Sequence, residues 1–231
     1  MAENTTTNPE REERILEAAA KLIAHYGYDK TTVSDIAEEA GISKGAVYLH
    51  YKSKEDLFDA LIIHEGMKML DVMLERVEAD PDAGSIFALY QHAMVATYSS
   101  PVVLALMRRD AKVIGDMAKR LKDKPFSIDS AFIQHEMVRQ LQAANVIRQD
   151  LDPNEVAYVM ALIKSGFLLV NEFLPPESIL PLDEAGKAIG RLLERGLAPE
   201  GGGDKVAGKA ALENILHMTR DVLQKFKEKV V

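Results

Sequence analysis

The stretch Thr32 to Lys54, TVSDIAEEAGISKGAVYLHYKSK, decides how this chain is read. Thr32 and Asp35 stand three residues apart, the spacing of a capping box: the hydroxyl accepts a free amide of the first turn while the carboxylate reaches back. A helix is therefore expected from Val33. Val33, Ile36, Ala37 and Ala40 give it one apolar face, and Gly41 can take the left-handed conformation that ends a helix. Ile42 plugs the turn and Ser43 is the next N-cap. Lys44 to His50 then form a short helix with Val47 and Tyr51 inward and Lys44, Gly45, Ala46, Tyr48 and His50 outward. Ser53 with Asp56 repeats the capping spacing at the start of a further helix.

Two short helices joined through a glycine turn form a helix-turn-helix, whose second helix fits the major groove of DNA. The outward residues suit that contact. Lys44 can reach a base edge or a phosphate, Gly45 and Ala46 let the backbone approach closely, and Tyr48, His50 and Lys54 offer hydrogen bonds or charge to phosphates. Thr32 and Ser43 complete the expected DNA-binding set. The segment resembles the TetR family of bacterial transcriptional regulators. The matching residues are Thr32, Val33, Asp35, Ile36, Ala37, Ala40, Gly41, Ser43, Lys44, Gly45, Tyr48, His50, Tyr51, Lys54, Glu55 and Leu57. The one small departure is Tyr51, where the family more often has Phe.

The surrounding composition agrees with such a role. Net charge is -8 over 231 residues, which argues against indiscriminate coating of nucleic acid. Positive charge is instead local: the segment from Gly41 to Lys54 holds Lys44, Lys52 and Lys54 and no carboxylate. A small basic face on an acidic body favours a specific DNA site over non-specific binding. There is no cysteine, so disulfides and thiolate metal sites are excluded, and the polar opening MAENTTTNPEREER reads as neither signal nor anchor. The most apolar stretch, Val156 to Val170, is interrupted by Lys164 and reads as too short to span a bilayer. No membrane contact and a cytoplasmic location are expected.

An all-α fold follows, with an N-terminal three-helix DNA-binding domain over residues 1–53, of which 1–9 read as disordered, and a larger helical ligand-binding and dimerisation domain over 54–198. A glycine linker and an additional amphipathic C-terminal helix fill 199–231. The expected helices run from Pro9 to His25, Lys54 to Glu78, Gly84 to Tyr98, Pro101 to Leu121, Ser127 to Ala144, Pro153 to Leu174, Asp183 to Leu197 and Ala211 to Lys229. Asp110 falls on the apolar stripe of the fourth of these, and Ala188, Ile189, Leu192 and Leu193 form the inward row of the seventh. The helix from Pro153 is apolar all round and must be buried all round, a second copy of the chain being the expected second wall. The last helix carries seven large apolar residues in a row and is expected to dock on the dimerisation region, more across the two-fold than within one chain.

No catalytic constellation is evident. The six histidines form no HxH or HxxxH pair, and neither a GxSxG elbow nor a phosphate-binding glycine loop occurs, so neither an enzyme nor a cofactor is expected. Phe87, Tyr90, Met94, Tyr98, Met107, Phe132 and Phe167 could instead line an apolar chamber, each taken alone reading more readily as plain core. Asp110, His135 and Lys164 are polar intruders on apolar faces, and a buried charge needs a partner, a ligand or a shifted pKa. An internal ion pair of Asp110 with Arg109 or Lys164 competes with ligand contact. The resemblance implies a dimeric repressor, released from a double-stranded operator when a small, largely apolar effector moves the helix expected from Lys54 to Glu78. An activator or a ligand-independent regulator of the same fold stays open, as does, more remotely, a helical interaction module or enzyme without DNA binding.

Overall fold

The computed structural model describes residues 9–116 and 130–230. The expected disordered lead and the stretch with Met117, Leu121, Pro125, Ser127 and Ile128 lie outside the described residues. The described elements are helices: α1 (Pro9–Tyr26), α2 (Val33–Glu39), α3 (Lys44–His50), α4 (Lys54–Ala79), α5 (Ile86–Ser99), α6 (Pro101–Arg108), α7 (Ala111–Ile114), α8 (Ser130–Ala143), α9 (Pro153–Leu169), α10 (Leu182–Leu197) and α11 (Lys205–Val230). The chain forms two compact units, the first from residues 1–68, 100–123 and 221–231 and the second from 69–99 and 124–220. Both α4 and α11 therefore contribute residues to each unit.

The first unit is built on one apolar cluster. Ile15, Leu16 and Ile23 of α1, Ile36 of α2, Val47 of α3, and Leu57, Phe58 and Leu61 of α4 are its buried members, and Val102 of α6 joins them. Tyr28 packs edge-on against Phe58 with ring centroids 4.9 Å apart, which ties the end of α1 to α4. Ser100 caps α6 by accepting from the Val103 amide and donates its own hydroxyl proton to the buried Glu65 carboxylate. That bond gives an otherwise unsolvated acid a partner.

The helix expected from Pro101 to Leu121 is broken. Arg109 adopts φ 53, a left-handed conformation, and Asp110 becomes the N-cap of α7, its carboxylate accepting from the Lys112 amide. A short acidic side chain that can satisfy nearby backbone amides competes with helix continuation, and here it wins. Asp110 therefore serves as a cap, not as a charge in an apolar stripe.

In the second unit α5 packs along α10. The inward row of α10 passes through Gly186, Gly190 and Leu193, whereas Leu192, expected inward, is 70% exposed. The glycines leave room for larger neighbours: a Cβ on Gly190 would lie 2.9 Å from the Phe87 ring and one on Gly186 3.1 Å from the Met94 sulfur. The helix α10 runs through Gly196 to Leu197, and Ala198 is its C-cap. Beyond α9 the chain continues as short 3-10 turns at Val170–Glu172 and Pro176–Ser178 instead of as α-helix to Leu174. By length and composition the segment Pro153–Glu172 could cross a membrane. In the structure α9 packs on α8 and walls a chamber.

The C-terminal helix α11, expected to dock more across the two-fold than within one chain, starts six residues earlier than Ala211 and finds apolar contacts within its own chain. Leu212, Ile215, Leu216 and Leu223 are buried there, and burying side chains of this kind is worth about 1.5–3 kcal/mol each before ordering costs. In the second unit Gly208 lies against the backbone of Gly84 and Lys209 donates to the Glu78 carbonyl at 2.9 Å, an ammonium on the C-terminal carbonyls of α4. In the first unit Leu223 meets α4 at Gly66, where an added Cβ would lie 3.4 Å from its methyl carbon. Amphipathicity demands a partner surface without naming the chain that supplies it, and α4 of the same chain offers one.

Candidate nucleic-acid interface and ligand chamber

The helix-turn-helix is held by the bonds its residue types permit. Thr32 Oγ1 accepts from the Asp35 amide at 3.2 Å, and the Thr32 amide donates to the Asp35 carboxylate at 2.8 Å, closing the capping box. The Thr32 amide and the Thr32 hydroxyl, both donating to the Asp35 carboxylate, hold its pKa below the ordinary carboxylate value. Gly41 turns the chain at φ 65, and Ser43 caps α3 by accepting from the Ala46 amide at 3.2 Å. Arg14 of α1 donates to the Ala40 carbonyl and so fastens the turn to the first helix.

On α3 the inward and outward faces separate cleanly. Val47 and Tyr51 are buried; Lys44, Gly45 and Tyr48 are exposed, and Ala46 and His50 are half-buried. Burial lowers the His50 pKa, so near neutrality this residue offers a neutral imidazole. Leu49 stands out as 72% exposed and apolar beside Tyr48. A side chain of that kind is suited to a thymine methyl group, but helical periodicity does not mark it because it breaks the polar row. Lys54 is engaged inside the protein: its ammonium donates to the Tyr28 carbonyl at 2.5 Å and sits 4.0 Å from the centre of the Tyr28 ring. Desolvation lowers its pKa accordingly.

The second unit holds an apolar chamber of about 230 Å³ walled by α5, α8 and α9, lined among others by Tyr90, Met94, Tyr98, Met137, Met160, Lys164 and Phe167. Of the expected chamber residues, Tyr90, Met94, Tyr98, Lys164 and Phe167 are there. Phe87 packs against Gly190 instead, His135 lies on α8 outside the lining with Asp152 within reach of its charge, and Met107 and Asp110 belong to the first unit. The side chain of Phe132 lies outside the described residues. Tyr90 points its hydroxyl at the Met160 carbonyl, 3.5 Å away, and burial pushes its pKa up to about 12. Tyr98 and Phe167 stack edge-on at 6.0 Å, and both also line a second apolar cavity of about 580 Å³ between α9 and α10.

Among the described residues Lys164 is the one cation of the chamber lining. Part of its side chain reaches solvent, yet its ammonium is desolvated enough to lower its pKa, and among the described residues no carboxylate lies within ion-pairing distance. Asp110, the other member of the expected internal pair, caps α7 in the first unit.

Residues 15–61 match the model of the bacterial regulatory proteins of the tetR family. The uncharacterized HTH-type transcriptional regulator YerO of Bacillus subtilis is 49% identical over 61 residues, 26% of this chain and 21% of that one. The HTH-type transcriptional repressor BepR of Brucella suis is 25% identical over 176 residues, 73% of this chain and 82% of that one. The crystal structure of FadR from Bacillus subtilis in complex with stearoyl-CoA superposes with a TM-score of 0.57 at 17% identity, covering 78% of this chain and 96% of that one, which shows a shared fold. With its capped helix-turn-helix and these likenesses, the chain carries over residues 15–61 the N-terminal region of the bacterial regulatory proteins of the tetR family.

Proposed function

We propose that this protein is a homodimeric transcriptional repressor of the bacterial cytoplasm, which binds a double-stranded operator through α3 and leaves it when a small, largely apolar, acidic effector fills the chamber. The observation that carries the reading is the row Lys44, Gly45, Tyr48 and Leu49, exposed on a helix whose other side is anchored by buried Val47 and Tyr51. Thr32, Ser43, Ala46 and His50 flank that row, while Lys54 supports it from inside. Dimerisation is supported by the bare apolar faces of α9 and α10, where Tyr158, Leu162 and Leu192 are 66%, 53% and 70% exposed. Large apolar side chains left bare on two helices of one unit suit an association surface. An effector can move the equilibrium only by its differential affinity for two states, and α4, which has residues in both units, is the element to carry the change.

Transcription of genes beside its own is expected to rise when the gene is deleted, as read by a reporter; a fall would identify an activator instead. Lys164 assigns the acidic group, since a charge-assisted hydrogen bond to an anion is worth about 1.5–3 kcal/mol, tenfold or more in affinity. With decanoate as probe, the melting temperature of the wild type is expected to rise with ligand concentration, and Lys164→Met to need at least ~10-fold more decanoate for the same rise. Because burial already lowers the Lys164 pKa, its positive charge is lost at lower pH than for an ordinary lysine. Decanoate affinity should therefore fall as pH rises through that lowered value. Equal response of wild type and variant would remove Lys164 from the effector site.

A further inference from the structure

The last turns of α11 bring a charge to the base of the recognition helix. Lys227 Nζ lies 3.0 Å from Glu12 Oε1 of α1, a carboxylate whose side chain is only 13% exposed. That oxygen is out of reach of water and takes no well-aligned hydrogen bond, so the Lys227 charge is what compensates it. Glu12 in turn lies close enough to His50, the last residue of α3, and to Tyr51, its C-cap, for its charge to oppose the burial that lowers the His50 pKa and to add to the burial that raises that of Tyr51. Tyr51 is 2% exposed and its hydroxyl is likewise buried without a hydrogen bond.

A buried carboxylate without a counter-charge takes up a proton or moves to water. Neither can happen at Glu12 without disturbing the residues beside it. His64 of α4 does not supply the missing charge: its Nε2 is buried without a partner, and desolvation with Lys68 lowers its pKa, so it stays neutral. Arg11 faces His50 and Glu13 and Glu65 face His64, leaving Lys227 as the cation paired with Glu12 among the described residues. Leu223, one turn earlier on α11 and buried against Gly66, delivers Lys227 to this place.

We propose that Lys227 is a positioning residue for DNA binding: by neutralising the buried Glu12 carboxylate it fixes the end of α3, so that the C-terminal helix forms part of the support of the DNA-reading surface. This rests on α3 being the reading helix. Lys227 need not touch DNA for this role.

The test uses the full-length protein and a duplex it selects from a random pool, with affinity, its salt dependence and the melting temperature measured together. Binding of the wild type to its selected duplex is established first, and its failure would count against α3 as reader, separately from the role of Lys227. Lys227→Ala is expected to weaken binding about tenfold with the salt slope unchanged, since no phosphate contact is lost. Adding Glu12→Gln to that variant removes the orphaned charge and is expected to restore most of the affinity. The swap Glu12→Lys with Lys227→Glu should likewise bind better than either single variant. Affinity unchanged in Lys227→Ala, with or without a lower melting temperature, would overturn the proposal. So would a weakened variant that Glu12→Gln does not rescue and whose salt slope has dropped by about one, the mark of a direct phosphate contact.

Discussion

Replacing Gly208 by alanine is expected to destabilise the protein, against the helix propensities. Within a helix alanine is favoured over glycine by about 1 kcal/mol, and Gly208 lies in α11. Its place in the fold reverses the sign. A Cβ there would stand 2.3 Å from the Gly84 carbonyl oxygen and 2.5 Å from a methyl of Val146, and the opposed Cβ on Gly84 would stand 1.9 Å from the Lys205 carbonyl oxygen. Backbone meets backbone here, so no flexible side chain can yield. Overpacking of this kind costs about 1–3 kcal/mol, and the end of α11 must lift from the corner between α4 and α5. At roughly 2–4 °C per kcal/mol for a chain of this size, the melting temperature should drop by roughly 2–12 °C. Gly84→Ala should act in the same direction, and the pair should be less than additive because both break one contact. A melting temperature equal to or above that of the wild type for Gly208→Ala would show that α11 does not pack there.

The second large effect separates function from stability. Gly45 is exposed on the first turn of α3, and an added Cβ would meet only the Ser43 hydroxyl at 3.9 Å, an ordinary contact. Gly45→Asp is therefore accommodated by the fold, and an acidic side chain near a helix N-terminus is stabilising by about 0.3–1 kcal/mol. On DNA the same change blocks the close approach and sets a carboxylate against phosphates. We expect affinity to drop by at least ~100-fold, about 2.8 kcal/mol, while the melting temperature is unchanged or slightly raised. Titration of a labelled duplex and a thermal melt on the same sample check both halves. Retained binding would mean that α3 does not face the groove with its N-terminal turn.

The difference between these two sites also shows what the sequence could disclose. The helix-turn-helix is encoded locally: Thr32 and Asp35 cap α2, Gly41 turns the chain, Ser43 caps α3, and each bond spans two or three residues. Patterns at that range are legible without a fold. The chamber depends on longer reach. Lys164 stands out as a charge on an apolar helix, and it does line the chamber, but Asp110 carries the same signal and is explained by a cap two residues long. Leu192 fits an inward stripe by spacing, yet the packed side of α10 runs through Gly186 and Gly190, because Met94 and Phe87 need the space. A glycine in a helix reads as a weak point until its neighbour is known. The same holds for Gly84 and Gly208, and it is why the docking surface of α11 was hidden while its need for one was plain.

The central claim, that two copies of this chain read a specific duplex through α3, is tested most directly by selection from a random-sequence duplex pool. Purified protein is incubated with the pool, with Gly45→Asp in parallel, and the retained sequences are read. The wild type is expected to enrich a two-fold symmetric site whose half-site centres lie about one helical turn apart or a multiple of it, roughly 34–36 Å per turn, and the variant to enrich nothing. Retained sequences indistinguishable from the input pool, or the same sequences recovered with Gly45→Asp, would contradict it.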